Sequence, residues 1–416
     1  MSMNDTPNSN RLHIGIFGRS NSGKSSFINA LTNQEVSIVA DIAGTTTDPV
    51  YKPMEINPIG PCVLIDTAGF DDESTLGEQR VEKTRLAAQK TDLAIFIIAA
   101  DQLLREENDL YYEENWYDFF KQNNTPVLFV INKTDIYDDN VEELKIKFFE
   151  KFRNSIDSDM VIGVSCAKGN VIGQYHNTDS IRAVLARMLP ESFEAPFITG
   201  NLVNEDDVVL LVMPQDIQAP KGRLILPQVQ TIRELLDRKC TVISATTDKM
   251  LNALEALKKP PKLIITDSQV FDFVYKNKPS ETMLTSFSVL FAAYKGDIKY
   301  YLQGAKAIDS LTENSRVLIA ECCTHAPLSE DIGREKIPKL LRKRVGQGLA
   351  IDIVGGTDFP DKPDNYDLII QCGACMFNRK YVLSRIETAK RYNVPMTNYG
   401  VTIAHITGIL DKIATI

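Results

Sequence analysis

The stretch Gly18-Arg-Ser-Asn-Ser-Gly23-Lys24-Ser25 constrains this chain more than any other. An apolar run, His13-Ile-Gly-Ile-Phe17, precedes it and a helical pattern, Ser26 to Leu31, follows it. Strand, glycine loop and helix in that order make a P-loop, in which backbone N–H groups and the open helix N-terminus face phosphate oxygens. Gly18, Asn21, Ser22, Gly23, Lys24, Ser25 and Ser26 are the expected phosphate-binding residues. Lys24 would reach the β- and γ-phosphates, where it serves catalysis, and Ser25 would ligate Mg²⁺. The bland alternative is a chance glycine-rich turn, and the strand and helix around it argue against that.

A chain of 416 residues is too long for one ordinary domain, so two to four are expected. With 44% hydrophobic and 24% charged residues the composition is that of a soluble globular protein. A formal charge of −9, without a long Lys/Arg run, argues against a nucleic-acid partner. The first ten residues lack an apolar signal core and no run approaches the ~18 residues of a membrane span. A cytoplasmic location with no membrane partner is therefore expected, and the seven cysteines are read as thiols or metal ligands, not disulfides.

Downstream, Asp41-Ile-Ala-Gly-Thr-Thr46-Thr-Asp48 offers hydroxyls, of which Thr46 would complete the Mg²⁺ shell. The apolar strand Val63-Leu-Ile-Asp66 leads into Thr67-Ala68-Gly69; Asp66 can hold a Mg²⁺-bound water and the Gly69 N–H can meet the γ-phosphate. After the strand Pro126 to Ile131 comes Asn132-Lys133-Thr134-Asp135, whose last carboxylate can accept two hydrogen bonds from guanine N1–H and N2. Adenine offers no such donor pair. A further strand, Met160 to Val164, delivers Ser165-Cys166-Ala167, where a backbone N–H could contact the guanine O6. GTP is thus the expected nucleotide.

Five such motifs in this order resemble the translation-factor-related class of small GTPases, over roughly residues 11 to 172. Phe70 stands where Ras-like enzymes carry the water-positioning glutamine. Asn21 and the Gly-Thr-Thr-x-Asp loop look like the potassium-activated branch typified by the bacterial tRNA-modification GTPase. The resemblance implies that Asn21 binds K⁺ in place of an arginine finger. It also implies that Glu78, twelve residues after Asp66, positions the attacking water; an ordinary solvated charge is the equal alternative. Thr47 departs from the arginine usual at its position in that branch.

Pro190 and Pro196 bracket a polar stretch that reads as a linker. Beyond it, apolar strands at 207–213, 240–245 and 262–266 alternate with helices, which indicates a parallel sheet. Three strands leave an exposed edge, so this region is expected to form a homodimer. Pro220-Lys-Gly-Arg223 could bind an anion, but a surface loop is the favoured reading.

The last part repeats the alternation with strands at 316–320, 349–354 and 366–370. Cys322, Cys323 and His325 close the first, and Gln371-Cys372-Gly-Ala-Cys375 closes the third. Ligands of open parallel sheets bind at strand carboxyl ends, so these motifs should converge. Cys323, Cys372 and Cys375 suit a [4Fe–4S] cluster, with His325 nearest for the fourth iron. A Cys₃His zinc site uses the same ligands. Strand alternation would turn Cys322 to the opposite face. Cys62, Cys166 and Cys240 read as packing residues.

A GTPase segment followed by two α/β segments carrying Cys-x-His and Cys-x-x-Cys closely resembles the [FeFe]-hydrogenase maturation GTPase family. Gln371 stands where that family usually has histidine. The resemblance implies an α/β chain of three domains: a P-loop GTPase domain at 1–175, a dimerisation domain at 190–277 and an iron–sulfur domain at 278–416. It implies a scaffold that carries the 2Fe subcluster precursor to apo-[FeFe]-hydrogenase, in company with radical-SAM hydrogenase maturases. A GTPase of RNA modification or ribosome assembly with structural zinc is the alternative.

Overall fold

The computed structural model describes residues 6–32, 48–70, 77–105, 110–137, 140–166, 178–189, 197–214, 224–322 and 331–416, with the backbone alone at 77–80. The chain divides into two compact units, Met1–Glu194 and Ala195–Ile416. Among the described residues no helix is long and apolar enough to cross a membrane.

The first unit is built on six strands: β1 Leu12–Phe17, β2 Val50–Ile56, β3 Gly60–Asp66, β4 Leu93–Ala99, β5 Val127–Asn132 and β6 Val161–Gly163. They run in the order β2-β3-β1-β4-β5-β6, parallel except for the edge strand β2. Period-two alternation sorts their side chains onto two helix-covered faces. Leu93, Ile95 and Ile97 of β4 join the core under helices Lys24–Thr32 and Thr178–Arg187. Ala94, Phe96 and Ile98 join the core under Tyr111–Gln122 and Val141–Lys151. Buried on both faces, β4 is apolar throughout, as a central parallel strand must be.

The second unit holds two sheets of four parallel strands. One comprises β7 Val208–Val212, β8 Thr241–Ala245, β9 Leu263–Thr266 and β10 Met283–Ser286, in the order β10-β9-β7-β8. The other comprises β11 Arg316–Ala320, β12 Ala350–Val354, β13 Leu368–Gln371 and β14 Met396–Asn398, in the order β12-β11-β13-β14. Counted along the chain, both follow the same topology, second-first-third-fourth. The sequence pattern suggested three strands in each; the fourth members, β10 and β14, are short and capped by polar residues, which hid them. Because β10 pairs with β9, the first of these sheets runs past residue 277, where the sequence suggested a domain edge.

Helices following β10 and β14 start alike. Ser286 accepts from the Val289 N–H and Asn398 from the Val401 N–H, each an N-cap for a helix of buried residues. Asn398 also donates to the Ser288 carbonyl at 2.9 Å, and a Cβ on Gly400 would lie 2.8 Å from Ser288 Cβ, so glycine lets the two helices meet. Helix Phe287–Lys295 is apolar nearly all round, which requires burial on all sides. Phe287, Leu290 and Phe291 enter a core of the β7–β10 sheet, and Ala292 enters a core of the β11–β14 sheet.

Candidate functional site

In the first unit the strand order reverses beside β1, and the P-loop leaves its carboxyl end at that point, where an open sheet offers a crevice. Gly18 has φ 152° and Gly23 φ 92°. A Cβ would lie 2.3 Å from the Ile97 carbonyl oxygen at Gly18 and 2.2 Å from Asn132 Nδ2 at Gly23, so only glycine fits either place. Asn21 is exposed, with φ 60°, on the rim of the loop. Lys24 Nζ donates to the Gly18 and Arg19 carbonyls at 3.0 and 2.9 Å, curled into the loop it would serve.

The expected Mg²⁺ and phosphate residues meet here. Ser25 Oγ donates to Asp66 Oδ2 at 3.3 Å, which joins the helix start to the end of β3. Thr67 Oγ donates to the Ile16 carbonyl at 2.6 Å and fixes Asp66-Thr-Ala-Gly69 against β1. Ser22 is fully buried and its Oγ has no hydrogen-bond partner among the described residues. Ser26 lies in the first turn of helix Lys24–Thr32.

The base-reading elements are tied to the same loop. Asn132 Nδ2 donates to the Ser22 carbonyl at 3.0 Å, and its Oδ1 accepts from the Cys166 N–H at 3.3 Å. Lys133 takes φ 63°, turning the chain so that Asp135 follows in a short 3₁₀ turn. Ser165 Oγ donates to Asp135 Oδ1 at 2.7 Å, so one carboxylate oxygen is oriented by protein and the group is held for an edge-on partner. Burial pushes the Cys166 thiol up to about 12, so its contribution is the backbone N–H. Thr46 and Ala167 lie outside the described residues, as do the side chain of Glu78 and the loop Pro220 to Arg223.

Phe70 is 3% exposed and packs among Phe96, Tyr112 and Trp116 with ring centroids 6.2–6.4 Å away. A side chain so placed orients no water. Sequence inspection missed a second feature nearby: Arg19, inside the P-loop, donates twice at 2.8 Å to the fully buried Glu113 of helix Tyr111–Gln122. Phe70 and Glu113 thus attach both flanks of the phosphate site to one helix. Their separation in sequence left no signal. Buried His13 on β1 is neutral, its pKa lowered to about 4 by burial, and it carries no role in the site.

In the second unit the β11–β14 sheet reverses its order between β12 and β13 about β11. The ladder continues one residue beyond β13, the Cys372 N–H donating to the Ala320 carbonyl at 3.0 Å. The Cys322 N–H in turn donates to Cys372 Sγ at 3.1 Å. Cys322, expected on the face opposite Cys323, is beside Cys372. It shares one core with Leu318 and Ala320, as period-two alternation along β11 dictates. The Cys322 thiol and the Cys322 and Ala374 amides favour the Cys372 thiolate and lower its pKa, while burial raises that of Cys322. Cys375 lies three residues on, half-buried. Cys323 and His325 lie outside the described residues, and among the described residues no three His, Cys, Asp or Glu gather closely enough to hold a metal.

Around these thiols the sheet buries cations. Lys295 is 1% exposed, and burial lowers its pKa to about 8 while the three cysteines hold it up. Arg385 is 2% exposed, stacked within 5.0 Å of the Phe359, Phe377 and Tyr381 ring centroids. Its Nε and Nη1 have no hydrogen-bond partner among the described residues, and neither has the buried amide of Gln371. Orphaned donors beside a stabilised thiolate fit an anionic group, and soft sulfur donors fit iron or zinc.

A P-loop after β1, a carboxylate after β3 and Asn-Lys-x-Asp after β5 on this fold define a P-loop GTPase, which takes GTP with Mg²⁺. Residues 13–133 match the 50S ribosome-binding GTPase family, residues 198–296 the hydrogen maturase F dimerization domain and residues 299–416 the hydrogen maturase F tetramerization domain. The chain belongs to the hydrogen maturase F family, and its matched domains are those through which such chains assemble into oligomers. Among curated relatives, tRNA modification GTPase MnmE of Aquifex aeolicus is 42% identical over 102 residues, 24% of this chain and 22% of that protein. The same enzyme of Caldicellulosiruptor saccharolyticus is 36% identical over 125 residues, 30% of this chain and 26% of that protein. The chain spans about a quarter of the length of these relatives. Era of Aquifex aeolicus bound to GDP·AlF4− is 21% identical with a TM-score of 0.35, covering 56% of this chain and 92% of that one.

Proposed function

We propose that this maturase GTPase is the iron–sulfur scaffold that carries a diiron precursor and delivers it to apo-[FeFe]-hydrogenase. Cys323, Cys372 and Cys375 would hold a [4Fe–4S] cluster, with His325 the nearest candidate beside its fourth iron. The cluster supplies an electron-transferring, ligand-accepting metal surface; the diiron unit is cargo, received from radical-SAM maturases and passed on. The observation that carries this reading is the Cys322 amide donating to Cys372 Sγ across the ends of β11 and β13. Amide donors stabilise thiolate ligands, and Arg385 and Lys295 compensate the charge of an anionic cluster.

GTP hydrolysis acts as a timer for conformation or partner release. Lys24 neutralises phosphate charge, Ser25 and Thr46 hold Mg²⁺, and Asn21, exposed on the loop rim, holds the K⁺ that stimulates turnover. Glu78 positions water, a task Phe70 cannot perform. The three segments divide the work into nucleotide switch, homodimerisation and cluster binding. In the second, β8 is an edge strand none of whose residues is fully buried, the arrangement that accepts a partner.

The test is anaerobic iron and zinc analysis with EPR of the reduced protein, for wild type and the Cys323→Ala, Cys372→Ala and Cys375→Ala variants. Brown protein whose signal is lost in each variant is expected. Colourless protein containing zinc would transfer the assignment to a GTPase with a structural metal. Replacing K⁺ by Na⁺ should lower GTP turnover in wild type and leave Asn21→Ala unaffected.

A further inference from the structure

Helix Phe287–Lys295 belongs to the β7–β10 sheet, yet its last side chain acts on the other one. Lys295 Nζ donates to three carbonyls of the loop between β13 and helix Arg379–Arg391: Ala374 at 3.2 Å, Cys375 at 3.2 Å and Phe377 at 2.7 Å. An ammonium has three donors, and here all are used, which is what permits its burial. The loop needs such an anchor. It carries Cys372 and Cys375 and holds Ala374 at φ 52°, a left-handed conformation that costs a residue with a Cβ. The Ala374 amide is also one of those that stabilise the Cys372 thiolate, so the strained residue lies within the sulfur site. A lysine ending a helix is usually solvated; this one lies within a core and crosses about eighty residues of sequence to reach its partners.

We propose that Lys295 is the positioning residue of the cysteine loop, so that the helix closing the β7–β10 sheet sets the geometry with which Cys372 and Cys375 hold iron. The helix is packed into cores of both sheets, so a shift imposed on the β7–β10 sheet by subunit association is passed to the loop by the Lys295 hydrogen bonds together with the packing of Ala292. The inference rests on the cluster-binding reading for its iron readouts and on the hydrogen bonds alone for its thiol readout.

The full-length chain and its Lys295→Met and Lys295→Gln variants test it. Methionine has similar length and volume, so it separates hydrogen bonding from space filling. In cluster-free protein, the alkylation rate of Cys375 by a maleimide, read by mass spectrometry, should rise about tenfold in Lys295→Met and less in Lys295→Gln, as expected for loss of one or two net hydrogen bonds. Far-UV circular dichroism and oligomeric state should be unchanged. After anaerobic reconstitution, Lys295→Met should retain less iron and show altered g-values. Unchanged alkylation and EPR in folded variants would overturn the proposal, as would failure of both variants to fold, which would make Lys295 a general core residue. Wild type that takes up no iron would overturn the cluster reading instead, and the alkylation rates would then decide the role of Lys295.

Discussion

In the six-stranded sheet the strand order reverses beside β1, and in the β11–β14 sheet it reverses beside β11. Each reversal leaves a crevice at the carboxyl ends, and each crevice is lined with different material. Beside β1 the donors are backbone amides of one short loop, freed by Gly18 and Gly23 to approach a phosphate. Beside β11 they are side-chain sulfurs from two loops some fifty residues apart. The β7–β10 sheet is the control, because it has the topology of the β11–β14 sheet without its thiols: Asp267 and Ser268 follow β9 where Cys372 follows β13. Topology makes the crevice, then, and the residues just past the strand ends decide what enters it.

The comparison breaks most visibly if the two sites cannot be separated. Cys372→Ala should abolish cluster iron and leave GTP turnover at the wild-type level, while Lys24→Ala should do the reverse, as measured by iron analysis and phosphate release. Simultaneous loss of both properties in either variant would mean that the sheets are not chemically independent.

A smaller effect sharpens the contrast between a packed switch and a polar one. Phe70→Ala should destabilise the first unit by ~3–5 kcal/mol, because it empties a site enclosed by Phe96, Tyr112 and Trp116. Denaturant unfolding should show the first unit melting early and the second unchanged. Acid should separate the units in the same direction. His13 is buried with a folded pKa of about 4, below its ordinary 6.5, so only the unfolded chain takes up the proton between those values. Stability of the first unit should therefore fall as pH falls from 6.5 towards 4, by ~3 kcal/mol in all. His13→Gln should flatten that dependence in denaturant titrations at pH 7 and pH 5. The smallest change concerns base reading: Asp135→Asn should weaken GTP binding by ~1.5–3 kcal/mol, the worth of a hydrogen bond to a charged group. Calorimetry that finds equal affinity would remove Asp135 from guanine recognition.

Much of this architecture is legible in the amino-acid sequence because it is local. The P-loop, Asp66 to Gly69, Asn132 to Asp135 and the apolar strands β7, β9, β11 and β13 are contiguous patterns with the right period. Strands β10 and β14 were not legible, being short and ending in the polar caps Ser286 and Asn398. Cys322 keeps the face of Leu318 and Ala320, as alternation predicts, but that Cys372 would meet it there was not legible. Arg19 with Glu113, and Lys295 with the cysteine loop, were invisible: each pairs residues about eighty or more positions apart, and no period in the chain relates them.

By itself the sequence determined the nucleotide chemistry, since phosphate and guanine recognition depend on backbone conformation and short-range order that a few adjacent residues dictate. It also determined which thiols are available. Only the tertiary structure decided that Cys322 and Cys372 meet, that a buried lysine holds their loop, and that two successive sheets share one topology. Those outcomes depend on which strands become neighbours, and strand pairing is settled by the packing of the whole sheet, not by any stretch within it.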